Sequence, residues 1–290
     1  MSNSISVIGG DLRSIKLIEL LSKDGTKVYT YGFDLADDIV DDKNIVQCKN
    51  YKEAIEKSKV IIAPIPFSSD RQNLLMTFSE DKILISEFLD NIDGKIVLGG
   101  NFSEDVRKEF DNKKVQYIDL IKREEFSVLN AIATAEGTLE IILRETQRTL
   151  HGSKVLVMGF GRVGKVLSDK LAGLGAKVYC EARKNEDIAW IKAYGYHPIE
   201  LKELDKYIGD FEIIVNTIPF EVLNEQRLNL VKKDVLLIDL ASNPGGIDRK
   251  AARDKKLKFI WALSLPGKVA PITSAEFIKE TLDNVLEELN

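Results

Sequence analysis

The chain repeats itself at an offset of 150 residues. Gly9, Leu17, Leu21, Gly25, Val28 and Tyr29 recur as Gly159, Leu167, Leu171, Gly175, Val178 and Tyr179, and Ile65-Pro66-Phe67 returns slightly later as Ile218-Pro219-Phe220. A period this long is the size of a whole domain, so 290 residues are read as two domains of similar build. Within each copy, short apolar runs rich in β-branched residues alternate with stretches of helical spacing. Ile5–Ile8, Val28–Tyr31, Val60–Ala63, Ile96–Leu98 and Val115–Ile118 read as strands, with helical spacing at Ser14–Leu21 and Glu104–Phe110. The pattern restarts with Val155–Met158, Val178–Cys180, Ile213–Val215, Leu236–Asp239 and Lys258–Trp261. Such alternation implies βαβ units, parallel sheets and right-handed crossovers, with ligands at the strand C-termini. The fold class expected is α/β: two doubly wound, Rossmann-like parallel-sheet domains with a cleft between them.

The boundaries follow from the helices. Residues 1–130 form the expected N-terminal domain and 131–273 the nucleotide-binding one. A glycine-poor helix over 136–150 joins them, and a last helix over 274–290 returns to pack on the first domain. Apolar residues at 44% and charged ones at 30% suit packed cores under a solvated surface and exclude a disordered chain. A net charge of −5 argues against tracking a nucleic-acid backbone. No apolar run approaches the roughly 18 residues of a membrane span. The opening MSNSISVIGGD lacks the layout of a signal peptide, and Cys48 and Cys180 match no metal-ligand spacing. A reduced, cytoplasmic setting with no membrane, nucleic-acid or metal role is the expectation.

The strongest motif is Gly159-Phe160-Gly161-Arg162-Val163-Gly164, between the strand Lys154–Met158 and a helical stretch over Arg162–Leu174. Gly159 allows the tight turn, Gly161 admits a pyrophosphate to the main chain, and Gly164 lets helix and strand pack closely, while the helix N-terminus presents N–H groups to the anion. In the first copy Asp11 and Ser14 replace Gly161 and Gly164. A carboxylate there repels pyrophosphate, so only the second domain is expected to bind a dinucleotide. About 20 residues beyond the first glycine, NAD sites place an acid on the ribose. That position is Ala182, followed by Arg183 and Lys184; Glu181, one residue early, points the other way. Two cations and no carboxylate favour the 2′-phosphate of NADP over NAD.

The loops expected at successive strand C-termini offer hydroxyls, amides and cations: Asn216-Thr217-Ile218-Pro219, Ala241-Ser242-Asn243-Pro244-Gly245-Gly246, and Leu265-Pro266-Gly267-Lys268 running on to Thr273. These form the expected nicotinamide pocket, with Ala241, Ser242, Pro266 and Lys268 beside the coenzyme. In the first domain Asp11, Arg13, Pro66 and Ser68 occupy the matching edge, and Arg13 and Lys268 are positioned to pair with carboxylates of a small anion. His151, expected in a turn, and His197, on a strand edge, read as structural, which disfavours oxidation of a hydroxyacid.

Gly9-Gly10-Asp11-x-Arg13, Thr134-Ala135-Glu136-Gly137, the 159–164 fingerprint, Asn216-Thr217-Ile218-Pro219, Ser242-x-Pro244-Gly245-Gly246 and Leu265-Pro266-Gly267-Lys268-Val269-Ala270-Pro271 occur in that order. Together they resemble the dipicolinate synthase A-subunit family of spore-forming bacteria over nearly the whole chain; Ala133 departs from the proline expected before Thr134. The resemblance implies oxidation of dihydrodipicolinate to dipicolinate with NADP as hydride acceptor, alongside a flavoprotein-like B-subunit, in the mother-cell cytoplasm of a sporulating bacterium. Aromatising the ring needs a hydride acceptor and a place for one proton, and no alcohol-activating histidine. Lys268, Thr134, Glu136 and Ser242 are the catalytic candidates; Glu136, Asp11 or a water takes the proton. Two other readings stay open beside this one: a dehydrogenase of another small anionic substrate, and a non-catalytic NADP-binding subunit; in each case self-association is also open.

Overall fold

The computed structural model describes residues 4–37 and 40–289. Met1–Asn3, at the start of the segment read as leaderless, lie outside the described residues. The chain divides into two compact units, Met1–Asn130 with Ala270–Asn290, and Ala131–Val269.

In the first unit, β1 (Ser4–Ile8), α1 (Leu12–Lys23), β2 (Lys27–Tyr31), β3 (Ile45–Gln47), α2 (Tyr51–Glu56), β4 (Val60–Ile62), α3 (Ile85–Leu89), β5 (Ile96–Gly99), α4 (Glu104–Asn112) and β6 (Gln116–Asp119) follow one another. The strands are parallel in the order β3-β2-β1-β4-β5-β6. Helix starts are chemically marked. The Asp11 carboxylate accepts from the Arg13 N–H to open α1, and Ser103 caps α4 at Val106.

Next comes α5 (Glu124–Glu145), a single helix of 22 residues. Its first turns give Phe126 to a core of the first unit, and its later turns give Ala135, Ile141 and Ile142 to a core of the second. The expected helix over 136–150 is therefore displaced: it begins 12 residues earlier and stops at Glu145. Ala133 lies inside it, 2% exposed, where helical hydrogen bonding suits alanine. By length and composition alone α5 is also long and apolar enough for a membrane span, a test that core helices pass too; 44% of its apolar window is buried within the protein.

The second unit runs β7 (Lys154–Met158), α6 (Arg162–Gly173), β8 (Lys177–Ala182), α7 (Asn185–Ala193), β9 (His197–Glu200), α8 (Leu204–Tyr207), β10 (Ile213–Asn216), α9 (Glu225–Leu228), β11 (Leu236–Asp239), α10 (Arg249–Asp254), β12 (Lys258–Trp261) and α11 (Leu265–Val269). Its parallel strands lie in the order β9-β8-β7-β10-β11-β12, the same winding as the first sheet. The repeat at 150 is thus structural: β1, α1 and β2 each begin 150 residues before β7, α6 and β8. Alternation splits the core between two faces. Val155 and Val157 join Leu167, Leu171, Val178 and Cys180 under α6, whereas Leu156 and Met158 join Ile199, Leu204 and Phe211 on the other face.

The segment expected as a loop from Leu265 to Thr273 is instead α11 and the start of α12 (Pro271–Glu288). Pro271 at the first helical position needs no N–H partner. α12 belongs to the first unit, burying Ala275, Ile278, Leu282 and Val285 with Ile15 and Leu17 of α1. Lys279 pairs with Asp24 at 2.6 Å, and Glu288 accepts two hydrogen bonds from Arg123.

Candidate functional site

The glycine turn of the second unit is shaped by what a side chain would strike. Gly159 has φ +89°, and a Cβ there would lie 2.6 Å from the Thr217 hydroxyl. A Cβ on Gly164 would collide with the Gly159 carbonyl oxygen, whereas one on Gly161 would meet nothing within 4 Å among the described residues. Gly161 is the N-cap of α6 and offers no side chain to its first-turn N–H groups. The middle glycine therefore opens on space in front of a helix N-terminus, the arrangement that fits a pyrophosphate. Phe160 points into the core at 4% exposure and contributes main chain only, while Arg162 is exposed and Val163 half-buried. Ala182 ends β8, buried among the apolar residues under α6, and Arg183 and Lys184 follow it, exposed. The Arg183 guanidinium lies 5.2 Å from the Phe220 ring centre.

The corresponding turn in the first unit is already filled. The Gly10 N–H donates to the Leu75 carbonyl at 2.8 Å and Thr77 N–H returns to Gly10 at 3.1 Å, while a Cβ on Gly9 would crowd both Leu75 and Met76. Arg13, expected as a cation for substrate carboxylates, is 4% exposed. Its Nε and Nη2 donate to the Asp11 carboxylate at 2.9 and 2.8 Å, and Nη2 also reaches the Ile65 carbonyl. Asp11 and Arg13 thus neutralise one another, and neither is the free ligand the sequence suggested. Pro66 is half-buried after a cis peptide, and the Ser68 hydroxyl is held within its own turn by Asp70 and the Arg71 N–H.

A residue that sequence reasoning missed ties two loops of the second unit together. Asp239, 1% exposed at the end of β11, accepts from the N–H groups of Ala241, Gly246 and Ile247 at 3.0, 2.8 and 3.2 Å, and from the Asn216 amide at 2.8 Å. Asn216 is itself fully buried and also bonds both main-chain groups of Ile218. It was expected to touch the coenzyme; its amide is instead consumed in holding the loop that carries Thr217 and Pro219. Thr217 is anchored through its hydroxyl to the Met158 carbonyl, and Pro219 is exposed. The available signal was an acid closing the apolar run Leu236-Leu237-Ile238.

Ser242 stays exposed, and Ala241 is buried. On α11, Pro266 is buried and Lys268 exposed. Gly137 of α5 makes that placement: a Cβ there would come within 3.1 Å of Leu265 and Val269. Thr134 stands one turn earlier on α5, half-buried, and Glu136, exposed, is paired with Lys170 at 2.8 Å. Among the described residues no group of three His, Cys, Asp or Glu side chains is placed to hold a metal.

Two doubly wound sheets, one with an open glycine turn at a helix N-terminus, define a nicotinamide-dinucleotide oxidoreductase fold. Residues 4–121 match the N-terminal domain of the dipicolinate synthase A-subunit, and residues 132–251 match the NAD binding domain of D-isomer specific 2-hydroxyacid dehydrogenases. The chain is 32% identical to the dipicolinate synthase A-subunit of Bacillus subtilis (strain 168), covering 98% of this chain and 96% of that protein. It therefore belongs to the dipicolinate synthase A-subunit family. The crystal structure of the family's member from Bacillus halodurans superposes with a TM-score of 0.88 at 28% identity, over 98% of this chain and 97% of that one. The corresponding structure from Bacillus subtilis gives 0.86 at 30%, over 99% and 97%.

Proposed function

We propose that this chain is the oxidoreductase subunit that converts dihydrodipicolinate to dipicolinate, with NADP as hydride acceptor, in the mother cell of a sporulating bacterium. Family membership over almost the full length supports the substrate. The observation that carries the coenzyme reading is the open turn at Gly161, with Arg183 and Lys184 following Ala182. When bound, the nicotinamide takes a hydride from the ring as it becomes aromatic, and one ring proton is lost. The protein's part is to hold and orient. The α6 N-terminus and Gly161 receive the pyrophosphate, and Arg183 and Lys184 receive the 2′-phosphate. Lys268 draws in a carboxylate of the dianion, and Ser242 offers a hydroxyl on the neighbouring loop. Glu136 and Asp11 are both ion-paired, which favours a water as the proton acceptor. The protein partner is the synthase's B-subunit, as the family's name implies.

A second reading, a dehydrogenase of a simple hydroxyacid, has in its favour the match of residues 132–251. One assay separates the two. The purified chain, alone and with the B-subunit, is given freshly generated dihydrodipicolinate and NADP, and in parallel a panel of hydroxyacids. Formation of NADPH with dihydrodipicolinate supports the proposal; turnover confined to hydroxyacids overturns it.

A further inference from the structure

Glu181 is a carboxylic acid in an apolar place. It is 1% exposed, and its Oε1 is buried with no hydrogen-bond partner among the described residues. The strand register sets it level with Met158 of β7 and Ile199 of β9. Both neighbours lie in the apolar face shared with Leu204 and Phe211. It is also the residue immediately before Ala182, and its main-chain carbonyl accepts from the Gly159 N–H at 3.1 Å. A titratable group is thus built into the floor of the dinucleotide turn, two residues before Arg183, and the reaction proposed for the chain gives it no task.

We propose that Glu181 sets the coenzyme preference from beneath this site: with its proton it leaves Arg183 and Lys184 free to hold a 2′-phosphate, and without it its charge opposes that phosphate. The inference rests on the reading of Arg183 and Lys184 as the 2′-phosphate ligands. Glu181 acts through them and is a positioning residue. Burial pushes its carboxyl above the usual range, while the Gly159 N–H, Arg183 and Arg227 pull it back. Arg227 is itself held by Asp205 of α8 at 2.7 Å, and two residues back along β8 Tyr179 is stacked on His197 of β9. The sign follows. As pH climbs through the raised value the carboxyl ionises, and the new negative charge is felt by a 2′-phosphate and hardly by a 2′-hydroxyl. The ratio of NADP to NAD affinity therefore falls. A phosphate monoester gains its own second charge near pH ~6, but this is common to wild type and variant.

The test is calorimetric binding of NADP and of NAD to the full chain, from the most acidic to the most alkaline pH at which it stays folded, for wild type and Glu181→Gln. The variant's NADP:NAD ratio is expected to exceed that of wild type by roughly threefold to tenfold at the alkaline end, the size of one charge acting through partly solvated protein. The two curves are expected to converge at the acidic end. Curves that coincide throughout overturn the role of Glu181. Glu181→Met, which matches its apolar neighbours, replaces the glutamine variant if that one does not fold, with the same two outcomes. A third protein, Arg183→Gln with Lys184→Gln, separates this inference from its premise. Equal affinity for both coenzymes there supports the premise; an NADP preference that survives, or a wild type that prefers NAD, overturns premise and inference together.

Discussion

Asp239 shows how much of a binding surface can depend on one side chain that touches no ligand. Its carboxylate satisfies three main-chain N–H groups and the Asn216 amide, all buried. Removing it strands those donors without water. Asp239→Ala is expected to lower unfolding free energy by about 2–4 kcal/mol, the range for several orphaned buried donors, read by urea denaturation. A loss under ~1 kcal/mol would mean that the loops hold themselves. Arg183 and Lys184 make the opposite case, being exposed, the first lying by the Phe220 ring and the second paired with Glu186. Arg183→Asp with Lys184→Ala is expected to leave stability within ~0.5 kcal/mol of wild type and to reverse the preference between NADP and NAD. Unchanged selectivity in competitive binding would remove the pair from the 2′-phosphate. The exposed place of these two residues after β8 was legible, because it is counted from the glycine fingerprint. Asp239, Glu181 and the pairing of Arg13 with Asp11 were not, because each owes its role to neighbours far away in sequence or to burial.

Among the elements, those with strong periodicity were readable and those whose composition contradicts their conformation were not. The strands around each glycine turn follow from β-branched runs, and α6 from its spacing. β3 is three residues on a sheet edge, too short to show alternation. α5 was placed too late because its first turns bury little beyond Phe126, so the apolar stripe becomes visible only further on; the acids Glu124 and Glu125 of its first turn were the unused signal. α11 reads as a loop because Pro266 and Gly267 dominate five residues, and packing against Gly137 of α5 compensates for their poor propensity. That contact is the basis of a prediction. Gly137→Val introduces methyl groups where Leu265 and Val269 already lie within 3.1 Å of an added Cβ, so α11 must shift, at about 1–3 kcal/mol. Lys268 shifts with it, and the Michaelis constant for the dianion should rise while affinity for the coenzyme, whose glycine turn is on α6, changes little. Restoring space with Val269→Ala should recover part of the loss. Equal effects on both ligands would show that Lys268 is not a substrate residue.

For the whole molecule, the repeat makes the two units each other's control. They share strand order, glycine position and helix start, yet differ where a dinucleotide would meet the main chain. In the first unit Asp11 caps α1 and the 75–77 segment bonds across Gly10; in the second, Gly161 leaves the α6 N-terminus uncapped. One dinucleotide per chain is therefore expected. Gly161→Asp imports the first unit's residue into the second, and because a Cβ there meets nothing within 4 Å the fold should tolerate it. Its φ of −80° suits any residue. The effect is then electrostatic: the carboxylate caps the helix and repels the pyrophosphate. Calorimetry should give a stoichiometry of one for wild type and no binding for the variant. Coenzyme at a hundred times its dissociation constant should stabilise wild type by about 2.7 kcal/mol and leave the variant's melting temperature unmoved. Residual binding at one site per chain in the variant would assign a dinucleotide to the first unit, where Leu75 and Met76 would have to give way to it.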